Sequence, residues 1–422
     1  MTDMTLCSRS ALTAAATAGL AMWLVSSRSS ATGLPFVSYT ATAKTVRLLA
    51  PLDDGVPSPT IGETFDIIES TIVVDAEHPL APGEVLVKVL CMSVDPYLRG
   101  AIKSINGLTG EAKSSEPRVM EGFVAGTIVA SNADEWIAGD RFGANLPFST
   151  VQRAKLGRTI AWKLTDVVSE AEISLGLGIF GMPGATAYGG VTDILRPSTK
   201  PGAKEIIFVS GAAGAVGSMV GQIAKGVYGA TVIGSTGGPE KVRTILSKYA
   251  FDFAIDHKAL PKKAADGSWE ERKAALLAKL KEVAPGGLDM MFSNVGQDHF
   301  EAGFESLRPR GRIAVCGQIA AYSDAAAKQP VINPGQMIYT FQRVEGFVCM
   351  PWLSGQKGAW LSDMGQWYRD GIVKPTETKV HGVECWPAAF NRLFERTERK
   401  SGKMVVMMAD GDWGQETLRT KA

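Results

Sequence analysis

Residues 209–225 read VSGAAGAVGSMVGQIAK: glycine and alanine crowd the first half, and the second half carries apolar residues at helical spacing. The run EIIFVSG that leads into it is continuously apolar, the pattern of a buried parallel strand. Strand, bare turn and helix in that order form a unit whose turn must come close to something. Ala212-Ala213-Gly214-Ala215-Val216-Gly217 is the dinucleotide-binding fingerprint with Ala at its first glycine position. Gly214 is expected to let the backbone approach a pyrophosphate, and Gly217 to let helix and strand pack closely. The free N–H groups at the helix start, around Ala213, Gly214, Ala215, Val216 and Gly217, are expected to face the anion.

Toward the C-terminus, ATVIGST, FAID, LDMMFSN and GRIAVCG repeat the strand signal, with helical stretches such as WEERKAALLAKLKEV between them. That alternation predicts an α/β domain with a doubly wound parallel sheet over 172–372. Toward the N-terminus, GEVLVKVLCMSVDPYLRG (83–100) and GFVAGTIVASNADEWIAGDRFGAN (122–145) are short β-branched runs broken by Gly, Asp and Asn. They predict an irregular β domain over 44–171, to which the chain is expected to return over 373–422.

The first residues differ in texture. From Ser10 to Ser27 no residue is charged, Arg9 and Arg28 flank the stretch, and no acid occurs between Asp3 and Asp53. Residues 1–43 are therefore expected to be a leader or weak anchor outside the fold, which leaves the compartment open and makes any membrane contact depend on that segment. Elsewhere the composition is that of a globular enzyme-sized chain: 422 residues, 45% hydrophobic and 21% charged. A net charge of +1 with interspersed signs gives no basic stripe, so nucleic acid is not an expected partner. The five cysteines, Cys7, Cys91, Cys316, Cys349 and Cys385, show no paired spacing of a zinc site.

The choice of dinucleotide is read after the second strand. An NAD site places Asp or Glu about 20 residues past the glycines; here GSTGGPEKVR puts Ser235 and Thr236 in that place. Lys241 and Arg243 follow, and cations there suit a 2′-phosphate, so NADPH is the expected cofactor.

SVDPYLRG, GMPGATAYGG, GAAGAVGSMVGQIAK, PEKV, SNVG, GRIAVCGQIAAY and GKMVV occur in one order over Lys44 to about Met408. In that order and spacing the chain resembles the zinc-independent medium-chain reductases, particularly the prostaglandin reductases and plant alkenal double-bond reductases. The resemblance implies a GroES-like β domain plus a Rossmann domain, and a homodimer. It also implies NADPH-dependent reduction of carbon–carbon double bonds conjugated to a carbonyl in a small-molecule substrate. By the same resemblance Tyr322 is the catalytic candidate, holding the nicotinamide ribose, donating a proton, or both. Tyr97 is expected to line the substrate pocket, with Asp95 and Arg99 fixing its loop. Asn294, Cys316, Gly317, Ile319, Phe347 and Val348 are implied cofactor contacts. His257 stands where relatives often carry Tyr near the 2′-phosphate, and Lys400 replaces a usual Asn; both are candidate phosphate contacts.

No catalytic zinc is expected. His78, His257, His299 and His381 are far apart, only His381 has Glu384 and Cys385 near it, and MEGFVAG occupies the place of a zinc-binding His-Glu pair. Two other readings stay open on sequence: an NADPH:quinone oxidoreductase on the same fold, and a non-catalytic, membrane-tethered NADP-binding protein.

Overall fold

The computed structural model describes residues 37–106, 109, 111–200, 202–265, 267–324, 327–395, 401–414 and 417–420. Its first half holds eight strands: Val37–Leu48 (β1), Phe65–Val74 (β2), Glu84–Ser93 (β3), Arg118–Val119 (β4), Glu121–Asn132 (β5), Arg141–Pro147 (β6), Val151–Ala154 (β7) and Ala161–Lys163 (β8). A short helix, Leu98–Ala101 (α1), follows β3. One sheet contains β1, β2 and β4; the other runs through β3, β5, β6 and β8 with β7 on β3. Val46, Leu48, Phe65, Val85, Val87, Phe142, Phe148 and Trp386 are fully buried in the core between them. Each such side chain contributes about 1.5–3 kcal/mol of burial.

The strand β1 corrects one boundary. It begins at Val37, pairs with β2 from Tyr39↔Val74 to Leu48↔Phe65, and buries Tyr39, Ala41 and Ala43 at alternate positions. Residues 37–43 therefore belong to the β domain, and the boundary expected at Lys44 falls inside a strand. The rest of the expected leader, residues 1–36, lies outside the described residues. Among the described residues no helix is long and apolar enough to cross a membrane.

The second unit is a six-stranded parallel sheet: Ile206–Ser210 (β9), Thr231–Thr236 (β10), Phe253–Asp256 (β11), Leu288–Ser293 (β12), Leu307–Val315 (β13) and Arg343–Gly346 (β14), in spatial order β11-β10-β9-β12-β13-β14. β12 is buried along its whole length, as the apolar run LDMMFS demands in a sheet covered on both faces. Its helices include Met182–Gly189 (α2), Ala215–Gly226 (α3), Pro239–Ser247 (α4), Glu270–Val283 (α5), Gln297–Glu305 (α6) and Pro334–Thr340 (α7). Met219, Val220, Ile223 and Ala224 give α3 one buried stripe against the sheet. Order reverses between β9 and β12, and in such sheets ligands bind at the carboxyl ends of the strands at that point.

The chain then returns. Glu377–His381 (β15) and Lys403–Met407 (β16) extend the β-domain sheet beyond β3, and Thr417–Thr420 (β17) pairs with β1.

Candidate active site

At the sheet's switch point the fingerprint turn leaves β9. Gly211 has φ +66°, the Ala212 amide donates to the Ser235 carbonyl (2.9 Å), and α3 starts at Ala215 with Gly214 at its cap, where no side chain satisfies the first amides. A Cβ on Gly217 would lie 2.4 Å from the Gly211 carbonyl oxygen, so helix and turn are as close as backbone allows. The Gly402 amide donates to the Ala213 carbonyl (2.8 Å), closing the turn from the β-domain side. This bare backbone with uncapped amides at a helix N-terminus fits a dinucleotide pyrophosphate held by Gly214, Ala215, Val216 and Gly217.

Across the switch point Asn294 follows β12. Its amide donates to Ser210 Oγ (2.9 Å) and its Nδ2 to the Ser210 carbonyl (2.7 Å), which ties the ends of β12 and β9 together. The Cys316 and Gly317 amides both donate to the Ser293 carbonyl (3.0 and 3.1 Å), and the Ile319 amide donates to the Asn294 carbonyl (3.1 Å). The segment after β13 is thus laid along the end of β12. Tyr322 folds back onto it: its hydroxyl accepts from the Gln318 amide (3.5 Å) and sits over Gly317, whose Cβ would be 3.0 Å from that oxygen. Burial raises the Tyr322 pKa, so the hydroxyl is a neutral donor at pH 7. Burial also pushes the Cys316 thiol up to about 12.

Phe347, just past β14, donates its amide to the Val315 carbonyl (3.3 Å) and packs edge-on against Phe292 and Trp352. Val348 beside it is 68% exposed. Cys349 lies close enough to Cys316 and to Tyr97 to raise the pKa of each, after the larger effect of burial. Cys349 thus lies near both Tyr97 of the β domain and Cys316 of the Rossmann domain. The Tyr97 ring meets Phe123 edge-on (centroids 6.4 Å) and remains 41% exposed.

The far corner of the site lies at the ends of β10 and β11. Ser235 and Thr236 are buried there, in the place of an NAD-type acid. The His257 amide donates to the Thr236 carbonyl (2.9 Å), and its Nε2 would be 2.8 Å from a Cβ on Gly237. Lys241 lies on the first turn of α4, half-buried, and Arg243 is exposed. Burial, with His299 next in effect, pulls the His257 pKa down to about 3. His257 is therefore neutral at pH 7 and could meet an anion only through hydrogen bonding, not charge. Lys400 lies outside the described residues.

Sequence reading missed what stands behind this corner. His299, almost fully buried, places Nε2 2.8 Å from Ser235 Oγ, and Ser235 Oγ lies 3.4 Å from His257 Nδ1. Asp298 Oδ2 is 3.1 Å from His299 Nδ1 and accepts from Arg272 Nε (2.8 Å). It also missed Lys403, whose position in GKMVV was its only signal. Lys403 is 3% exposed; its Nζ donates to Ser93 Oγ (2.6 Å), the Val94 carbonyl (3.1 Å) and the Asp95 carboxylate, which fixes the loop carrying Tyr97. Among the described residues no three His, Cys, Asp or Glu side chains gather as metal ligands.

Comparison with known proteins agrees with this geometry. Residues 63–158 match the family described as the N-terminal domain of oxidoreductase, and residues 215–357 match the zinc-binding dehydrogenase family. Prostaglandin reductase 1 of Bos taurus is 36% identical over 334 residues, 78% of this chain and 90% of that protein. The 2-alkenal reductase (NADP(+)-dependent) of Nicotiana tabacum is 32% identical over 344 residues, 82% of this chain and 93% of that protein. Among solved structures, CurA from Vibrio vulnificus in complex with NADPH superposes with a TM-score of 0.70 at 30% identity, covering 87% of this chain and 99% of that one. A Pseudomonas syringae quinone oxidoreductase, at 19% identity and a TM-score of 0.61, shares the fold alone, over 86% of this chain and 99% of that one. On these identities, coverage and motifs, the chain belongs to the zinc-independent medium-chain dehydrogenase/reductase family, alongside the prostaglandin and alkenal reductases.

Proposed function

We propose that this protein uses NADPH to reduce the carbon–carbon double bond of α,β-unsaturated aldehydes or ketones. The observation that carries the reading is the placement of Tyr322. A neutral phenol is held by Gly317 and Gln318 at the switch point. The names of the relatives, prostaglandin reductase and 2-alkenal reductase, support it.

NADPH, when bound, supplies the hydride. Gly214, Ala215, Val216 and Gly217 would hold the pyrophosphate, Lys241 and His257 would receive the 2′-phosphate, and Asn294, Cys316, Gly317, Ile319, Phe347 and Val348 would line the nicotinamide half. As the β-carbon of the substrate is reduced, negative charge collects on its carbonyl oxygen as an enolate, and a proton from Tyr322 or water taken up at the α-carbon completes the saturated carbonyl. Tyr322 donates a hydrogen bond there or to the neighbouring ribose, and Tyr97 orients the acceptor. Such a donor contributes most where it is preorganised and shielded from water.

A homodimer fits the same molecule. The Rossmann sheet ends at β14, and beside that edge Val331, Ile338, Tyr339 and Phe341 are 67–85% exposed. A second copy paired edge to edge would cover them; light scattering that finds a monomer at micromolar concentration would refute this.

The test of function is direct. The purified protein should oxidise NADPH with a medium-length enal or enone and yield the saturated carbonyl, with little turnover of a saturated aldehyde. Tyr322→Phe should lower turnover roughly 10- to 1000-fold, the worth of one acid or oxyanion donor. An allylic alcohol as product would overturn the reaction class, and faster turnover of a quinone than of any enone would favour quinone reduction.

A further inference from the structure

A strap of the β domain that the mechanism above does not use reaches the segment carrying Tyr322. Residues Leu52–Gly55 follow β1 and are held by Arg99, two residues after Tyr97. Arg99 is wholly buried, and its guanidinium donates through Nη1 to the Leu52 carbonyl (2.6 Å) and through Nη2 and Nε to the Gly55 carbonyl (3.1 and 3.3 Å). The Leu52 amide donates to the Ile102 carbonyl (2.8 Å), and Asp53 accepts from the amide and hydroxyl of Ser104 (2.8 and 2.7 Å). At its tip the Gly55 amide donates to the carbonyl of Ser323 (3.1 Å), the residue directly after Tyr322.

Burying a guanidinium is costly unless its donors are used. Here they are spent on two carbonyls 44 and 47 residues away, in the strap whose Gly55 amide reaches Ser323. Gly55 has φ +74° and open space around it, so a flexible residue makes the turn while the arginine supplies the stiffness. A forked donor can grip two carbonyls at once, which an ammonium cannot do with the same geometry.

We infer that Arg99 is a positioning residue for Tyr322: by fixing Leu52–Gly55 it holds Ser323, and so sets where the Tyr322 hydroxyl stands. The inference rests on the proposed role of Tyr322. It links the two walls of the substrate site through one buried side chain that touches neither substrate nor cofactor.

The test is a double-mutant cycle on the full chain with NADPH and an enone. Arg99→Lys should lower kcat roughly 10- to 100-fold, within the range of one misplaced donor, while the KM for NADPH changes less than about threefold, since the fingerprint turn is untouched. In the Tyr322→Phe background the same change should cost less than about twofold, because the hydroxyl it positions is gone. Should Arg99→Lys fail to fold, Gly55→Ala serves: its Cβ meets nothing within 4 Å but φ +74° is strained, so the strap shifts while the core keeps its arginine. It should lower kcat in the same direction and show the same dependence on Tyr322. Losses that multiply across the two sites, or a lowered melting temperature with kcat intact, would overturn the inference. If Tyr322→Phe alone leaves kcat unchanged, the role given to Tyr322 falls first, and this inference with it.

Discussion

The two ends of the site proposed to bind phosphate are built in opposite ways. The turn proposed for the pyrophosphate is one continuous stretch, Gly211–Gly217, made of backbone and tied down by backbone contacts with Ser235 and Gly402. The 2′-phosphate corner is made of side chains from separate elements: Ser235 on β10, Lys241 on α4, His257 after β11, and behind them His299 and Asp298 on α6 with Arg272 on α5. The first places its ligand by how closely two backbones pack. The second does so by a chain of partners, each fixing the next. Geometry in the first therefore tolerates no added atom at Gly217, whereas the second tolerates change but alters its preference.

The largest effect expected from this contrast is at Gly217. Gly217→Val puts its Cβ where the Gly211 carbonyl oxygen already stands at 2.4 Å, and overpacking of this kind costs about 3 kcal/mol. NADPH and NADH binding should be lost together, measured by fluorescence titration alongside a thermal melt. Selective loss of one cofactor would mean that the turn also discriminates, and the contrast would break.

Next in size is Lys241→Ala. It should weaken NADPH by about 1–3 kcal/mol, the worth of a charge-assisted contact, and leave NADH almost unchanged. Equal losses would remove the 2′-phosphate from this corner.

A comparable effect concerns acid. His257 is held near 3, well below its ordinary 6.5, by burial and by His299. Below about pH 6.5 the unfolded chain takes up this proton and the native one does not, so its contribution to stability is complete above that pH and declines as pH falls toward 3. His257→Gln removes the contribution, so chemical denaturation at pH 7.5 and pH 4.5 should show a smaller acid loss in the variant. An equal loss in both proteins would mean that His257 is already protonated in the folded state.

The same contrast explains what could be read from sequence. Glycine spacing and the apolar run before it report backbone geometry, which is local, so the parallel sheet and the fingerprint were legible. The Ser235–His299 contact joins residues 64 apart, and at either position the sequence offers only a single polar residue in a buried strand or helix. Lys403 reads as an exposed lysine between apolar neighbours until Asp95, 308 residues earlier, is brought beneath it. The start of the fold was hidden for another reason: β1 fills its inward positions with Ala41 and Ala43, and strand alternation with alanine looks like the alanine- and threonine-rich stretch before it.

That return of the chain has a consequence for how the protein is made. Strand β16 covers Cys91–Ser93 of β3, yet the ribosome adds it only after the whole Rossmann sheet has been synthesised. The dinucleotide domain is therefore the first unit complete enough to fold as the chain emerges. Until Lys403 arrives, the nascent β domain carries an open apolar strand edge and an unneutralised Asp95, so it is in this interval, late in translation, that the newborn protein most needs protection from aggregation.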